Sequence, residues 1–456
     1  MHTFSSVKFG FLGFGSIGQA LACALRSRHG VSARQMSSIA ADTASCEAAR
    51  RMGVAACLAT VTSQNHTTVL DELGLGEGDV LVQVALDVSS EDLIAWCQAR
   101  RILYIDTWMD PWAQPGGPGP NWEIRERVLR ARRPGTTTAV VCHGANPGLV
   151  SHFVRPGLLG LADALGVSVP AGASSAELAQ LLGVRAVQIA EHDTQAEPEQ
   201  APGSKPGACC IASTWAPESL AAEALQACEV AWGSHELAPA DCALAMTAAP
   251  SPVAISAGPG GRLHVKTWTP LCGETSALAL THFESFTIAN TLTLRDGDRV
   301  TFRPTVYYAY RPAPVSWASL CAWAEKGFPA DPAGRLLRES LTQGSDALGL
   351  LFLFDTGMRR GAFWYGSTVS LEQARALVPD MNATASQVVG ALLGALAWML
   401  RNPAVGTVEP EDLNSAEVLA VALPYLGDVA GHLTSWTPCE AGVLRFNEFF
   451  ANGDPA

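Results

Sequence analysis

Lysine is scarce in this chain: only Lys8, Lys205, Lys266 and Lys326 stand among 30 basic residues, against 43 acidic ones. With a net charge of -13 and no basic run, the chain is a poor candidate for nucleic acid or an anionic membrane surface. A lysine Schiff-base mechanism is disfavoured for the same reason, since only Lys266 falls in an expected strand of the second half. The 12 cysteines include no C-x-x-C pair, which argues against a zinc site or a disulfide framework. The longest apolar run, Val388–Leu400, is shorter than the ~20 residues that span a bilayer. The N-terminus enters a strand directly, without the pattern of a signal peptide, so a cytoplasmic protein is expected.

What is present describes a large folded protein. Hydrophobic residues are 48% and charged residues 16% of 456, too apolar for disorder and too long for one ordinary domain. The first 150 residues alternate short apolar runs with helical patterns, as βαβ units do. "VKFGFLGFG", "DVLVQVALD", "ILYIDT" and "TTTAVVCHGANPG" read as strands, "SIGQALACALRSR" and "SSEDLIAWCQARR" as helices. From about Gly183, "VRAVQIAEHD", "RLHVKTWTP", "ALALTHFESFTIAN" and "RVTFRPTVYYAYRP" read as longer strands of a second, mixed or antiparallel sheet. Gln195–Ala208 reads as a surface connector, and the helix after Asn382 as a buried one.

"GFGSIG" sets Gly13, Gly15, Ser16, Ile17 and Gly18 between a strand and a helix, the context a dinucleotide fingerprint requires. The ribose acid expected some twenty residues on is offered only by Asp42, with no arginine cluster for a 2′-phosphate, so NAD is favoured over NADP. The expected fold is therefore α/β: an N-terminal Rossmann-type doubly wound parallel sheet over 1–150, then a second α/β (α+β) domain with a mixed or antiparallel sheet over 151–381. A C-terminal helical segment, 382–456, is expected to pack back on the first domain.

Ligands of an open parallel sheet bind beyond the carboxyl ends of its strands, and here those ends carry Asp87, Asp106, Asp110 and Asn146. Asn146 before Pro147 also has the form of a helix N-cap, and Asp87 before Ser89-Ser90 can likewise open a helix. Further on, "TWAPESLAAEALQACEVAWGSHE" gathers Glu218, Glu223, Glu229 and Glu236 with Trp215, Trp232 and His235, and contains no lysine or arginine. Carboxylates and indoles without a protein cation suit a cationic ligand.

The motifs "YIDTWMDPW", "GTTTAVVCHGANPGLVSHF", "IAEHDTQ", "KTWTP", "THFES", "RPTVYYAYRP", "FWYGS" and "MNATASQV", in this order over nearly the whole chain, are similar to those of bacterial homospermidine synthases. That family looks like the saccharopine dehydrogenase group. The resemblance implies aminobutyl transfer between polyamines on one bound NAD, in which putrescine is oxidised to an imine and loses ammonia. A second amine, putrescine or the aminobutyl group taken from spermidine, then condenses, and the same NADH reduces the new imine to homospermidine. It implies catalytic roles for Trp215, Glu191, Asn146, His282, Asp87 and Asp110, and substrate binding by Glu223, Glu284 and Trp215. Diamine or polyamine substrates, a homodimer, and neither a metal nor a nucleic-acid or membrane partner are further implications. Glu218, Glu229 and Glu236 have no matching role and read as solvated or structural, and Trp232 and His235 as packing residues. Two departures bear on the amine: Asp110 stands where the family commonly has glutamate, and Phe283 where it has an amide. The other enzyme reading is a saccharopine- or opine-like NAD(P) dehydrogenase with net redox. A non-catalytic NAD sensor is the third.

Overall fold

The computed structural model describes residues 4, 6–114, 117–130, 132–198, 210–237, 244–246, 251–439 and 442–451. Most of the connector Gln195–Ala208 lies outside them. Residues 1–149, 374–381 and 385–425 form one compact unit, and 150–373, 382–384 and 426–456 another.

In the first unit seven parallel strands lie in the order Thr407–Val408, Ala139–Val140, Leu103–Asp106, Val80–Gln83, Phe9–Leu12, Met36–Ala40, Ala55–Leu58. The chain begins near the middle and winds outward to both sides, which is the doubly wound arrangement. The strands Phe9–Leu12, Val80–Gln83 and Leu103–Asp106 are buried at every position and are largely apolar up to their carboxyl ends, where Gln83 and Asp106 stand. The helix Ser16–His29 buries Ala20, Leu21, Ala24 and Leu25 and stops at Gly30, whose φ of 71° closes the last turn.

The second unit holds a ten-stranded mixed sheet. Its central strand, Val184–Asp193, pairs parallel with Thr305–Arg311 and antiparallel with Ser345–Asp355. Thr305–Arg311 also meets Gly273–Leu280 and Ala227–Ala231, while Ser345–Asp355 leads through Arg360–Ser370 to the edge strand Asp428–Thr434. One face of the central strands is apolar: Ala186, Ala190, Tyr307, Ala309, Leu351 and Trp364 pack with Phe446 and Phe449 of the last 3₁₀ turn. The opposite face carries the polar cluster described below.

Three elements differ from the sequence reading. "RVTFRPTVYYAYRP" is two strands, Arg299–Phe302 in a separate two-stranded sheet and Thr305–Arg311 in the ten-stranded one. "ALALTHFESFTIAN" is a strand only to Leu280; Glu284–Thr291 is a helix. That helix is buried at Glu284, Ser285, Phe286, Thr287, Ile288 and Ala289, and a helix buried nearly all round loses the polar stripe that distinguishes it from a strand. Within 382–456, the helix Ala383–Arg401 precedes a strand, Asp428–Thr434, that joins the second sheet. The helix is long and apolar enough to cross a membrane by length and composition, yet 89% of its most apolar window is buried within the protein, as in a core helix.

Candidate active site

The glycine loop has the geometry that a pyrophosphate needs. Gly13 has φ 89°, and a Cβ there would lie 2.8 Å from the backbone of Val84 and Ala85. At Gly18 a Cβ would come within 3.0 Å of the Gly13 carbonyl, which sets how closely helix and loop approach. A Cβ on Gly15, by contrast, would meet nothing within 4 Å. Gly15 is the N-cap of Ser16–His29 and supplies no side-chain cap, so the first-turn N–H groups, including those of Ser16 and Ile17, face this open cradle. These residues fit a dinucleotide phosphate. Asp42, proposed for the ribose, caps the helix Thr43–Arg51 by accepting from Ser45 N at 2.8 Å; its side chain is exposed just past the second strand.

Beyond the next strands, the polar ends divide into a buried hub and an exposed rim. Asp106 is fully buried. Its Oδ1 accepts from Cys142 N at 2.6 Å, and its Oδ2 from Tyr104 Oη at 2.8 Å and Ser90 Oγ at 3.0 Å. Burial pushes its carboxyl up to about 7 even though all three of these donors pull it down. On the rim, Asp87 N donates to Asp110 Oδ2 at 3.2 Å, so these two acids sit side by side. Asp87 does not open a helix: its φ is 60°, and Ser89 caps Ser90–Arg100 through Asp92 N. Asn146 is not an N-cap either. It precedes a cis peptide bond to Pro147, and the helix begins only at Leu149.

In the second unit the polar face gathers the other proposed residues. Glu191 lies opposite Tyr310 in the parallel pair and opposite Leu348 in the antiparallel one. Tyr308 and Tyr310, two apart on one strand, share that face and stack at 5.5 Å and 15°. Tyr308 Oη donates to Glu191 Oε2 at 2.6 Å, and Trp215 Nε1 donates to Tyr310 Oη at 3.1 Å. Burial first, and the nearby Glu191 second, hold both phenols well above their ordinary range. Trp215 stands half-buried between the strand Cys210–Ser213 and the helix Pro217–Leu225, whose Pro217 fixes the first turn.

His282 sits between two carboxyls: Nε2 is 3.3 Å from Glu223 Oε2, and Nδ1 is 3.1 Å from Glu284 Oε1. Its ring lies 4.1 Å from that of Tyr308. Burial disfavours the imidazolium, but Glu284 and then Glu223 outweigh it and hold His282 at about 10. Burial raises the carboxyl of Glu223 and His282 opposes that rise. Glu284 Oε2, inside a residue 1% exposed, has no hydrogen-bond partner among the described residues. The structure thus brings the buried Glu191, Glu223, His282 and Glu284 together with the half-buried Trp215, and sets the exposed Asp87 beside Asp110 on the rim of the first unit.

Of the other acids in that stretch, Glu218 is exposed, whereas Glu229 accepts from Thr281 Oγ1 and Glu236 from Thr305 Oγ1 and Phe446 N. Trp232 donates to Leu237 O and packs on Phe446. Phe283 is the N-cap of the helix Glu284–Thr291, with φ −62° and ψ −37°, and is 1% exposed. A strand's alternation therefore does not set its direction. Sequence reasoning missed Tyr308 and Tyr310, although their period-two spacing in "TVYYAYR" was the available signal. It also missed Asp193 and Asp346, directly paired across strands and held by Thr214 and Thr384; burial raises both carboxyls.

A doubly wound sheet with a phosphate-fitting glycine loop, joined in one chain to a mixed-sheet unit with a buried polar cluster, is the build of a dinucleotide-dependent enzyme. In agreement, residues 9–136 match the saccharopine dehydrogenase NADP binding domain. The chain is 36% identical over 462 residues to a homospermidine synthase of Blastochloris viridis, covering 97% of this chain and 94% of that one. It is 32% identical to a homospermidine synthase of Mesorhizobium japonicum, with the same coverage. The crystal structure of the homospermidine synthase from Legionella pneumophila, in complex with NAD, superposes with a TM-score of 0.89 at 33% identity over 98% of both chains. Apo saccharopine dehydrogenase from Saccharomyces cerevisiae, at 10% identity and a TM-score of 0.53 over 94% of this chain and 100% of that one, shares the fold. This chain belongs to the homospermidine synthase family, and it is an enzyme.

Proposed function

We propose that this enzyme transfers an aminobutyl group between polyamines, converting two putrescines, or putrescine and spermidine, to homospermidine with NAD as its cofactor. Two putrescines give one homospermidine and one ammonia, and putrescine with spermidine gives one homospermidine and one 1,3-diaminopropane, so in both cases atoms balance and no electrons are left over. The chemistry drawn from NAD is removal of a hydride from the amine-bearing carbon and its return to the new carbon–nitrogen double bond.

The observation that carries this reading is the buried trio Glu223–His282–Glu284, in which one carboxylate oxygen of Glu284 has no hydrogen-bond partner among the described residues. An unsatisfied buried acceptor costs about 1–3 kcal/mol, which a substrate ammonium would relieve. Two carboxyls facing one imidazole suit a cation, whereas a carboxylate substrate would call for convergent arginines. We assign Glu223 and Glu284 to the distal ammonium, with His282 orienting both. Glu191, its carboxyl fixed by Tyr308, moves a proton at the reacting amine. Trp215, held by its indole N–H on Tyr310, presents an aromatic face to the cationic imine. Asp87, Asp110 and Asn146 are assigned to amine binding and proton movement at the strand ends of the first unit. Gly13, Gly15, Ser16, Ile17, Gly18 and Asp42 hold the cofactor. The family resemblance supports a homodimer.

The test is incubation of purified protein with NAD and putrescine, followed by mass spectrometry of polyamines and an ammonia assay. Homospermidine with equimolar ammonia and no net NADH is the expected result. Stoichiometric NADH turnover with an oxo acid would instead favour the dehydrogenase reading.

A further inference from the structure

We propose that Asp106 is a positioning residue, a single buried carboxyl group that ties together the three strand-end loops carrying Asp87, Asp110 and Asn146. The inference rests on reading those three residues as amine-facing. Each connection is visible. Asp106 Oδ1 accepts from Cys142 N, and its main-chain carbonyl accepts from His143 N at 2.8 Å, which pins the loop leading to Asn146 at two successive residues. Asp106 Oδ2 accepts from Ser90 Oγ, and Ser90 Oγ accepts from Asp110 N at 3.2 Å. Ser90 N in turn donates to Asp110 O at 2.9 Å, and Asp110 Oδ2 accepts from Asp87 N. Removing one carboxyl therefore breaks the shared anchor of all three loops, although Asp106 itself is fully buried and touches no solvent.

The partners also tolerate either protonation state. Cys142 N is a fixed donor and occupies Oδ1. Oδ2 meets two hydroxyls, Ser90 and Tyr104, and each can donate to a carboxylate or accept from a carboxylic acid. An asparagine presents the same pattern as the acid: a carbonyl toward Cys142 N and an NH₂ toward the hydroxyls. Titratable groups tied to Asp106 include Tyr104, which donates to it and lies near Cys97; Cys142 and His143, whose main-chain N–H groups donate to it; and Asp110, reached through Ser90. Burial holds Tyr104 and Cys97 up and pushes His143 down to about 4. These three therefore keep one charge state near neutrality.

Hydrogen–deuterium exchange on the full chain tests this without any assay of product. In Asp106→Ala, peptides covering 107–110 and 141–146 should exchange faster than in the wild type, while the strand Val184–Asp193 stays protected. In Asp106→Asn they should remain protected. Amine turnover should fall on the order of 100-fold in the alanine variant, as for displaced reacting groups, and be largely kept by asparagine. Unchanged exchange in Asp106→Ala, or loosening spread equally to Val184–Asp193, overturns the proposal. If Asp106→Ala does not fold, Ser90→Ala cuts the link to Asp110 N alone, and unchanged exchange at 107–110 in that variant is equally fatal. Absence of homospermidine from the wild type would sink the functional reading while leaving the exchange result to stand by itself.

Discussion

Trp215 carries two separable contributions: an aromatic face and an N–H that fixes it to Tyr310. If the face stabilises a cationic imine by about 2 kcal/mol, Trp215→Ala should lower kcat roughly 30-fold or more. Trp215→Phe keeps a face but not the N–H, and should fall between the two. Steady-state kinetics with NAD affinity measured in parallel checks this, and equal losses for both variants would exclude the aromatic role. His282 gives a second prediction. Its pKa of about 10 is raised above the unfolded value of about 6.5. The stability it contributes is therefore fully present below pH ~6.5 and lost as pH rises through about 10. In Glu284→Gln the larger of its two carboxylate partners is gone, so the His282 titration, followed by side-chain NMR, should move down toward the ordinary histidine range.

At the scale of elements, the glycine loop separates folding from binding. Gly15→Ala adds a methyl that meets no protein atom at φ −74°, so the melting temperature should hold while NAD affinity drops. Gly13→Ala forces a Cβ against the Val84 and Ala85 backbone at a positive φ and should destabilise by more than about 1 kcal/mol. Calorimetry and cofactor titration of both variants distinguish the two effects. Asp106 adds a pH signature to its strand. Because its folded pKa is raised, its contribution is full below about pH 4 and is lost as pH rises through about 7. Asp106→Asn should remove that component, so the melting temperature should depend less on pH between 5 and 8 than in the wild type.

The whole molecule is tested by where the electrons go. If one bound cofactor oxidises and then re-reduces a single carbon, catalytic NAD suffices for many turnovers. Putrescine bearing deuterium on its amine carbons should then return one deuteron to the corresponding carbon of homospermidine. Mass spectrometry that found this label wholly exchanged with solvent would exclude the recycling mechanism.

Sequence by itself determined the features that depend on local geometry. Three glycines between a strand and a helix, and apolar runs recurring with helices between them, are enough for a doubly wound sheet, because backbone conformation and burial are written in consecutive residues. The motif order carried the family for the same reason. Tertiary structure decided the rest. The run ending at Asn290 turned from strand to helix at Glu284 because burial on all sides erased its period, and Phe283 became a buried helix cap. Asp106, read beside Asp110 as a site acid, is instead fully buried, because its partners Cys142 and Ser90 come from a loop and from the first residue of a helix, both distant in the chain. The pairing of His282 with Glu223, 59 residues away in the chain, and of Trp215 with Tyr310, 95 away, depends on which strands neighbour which. No local propensity encodes that register, because it is settled only when the whole sheet closes over its core.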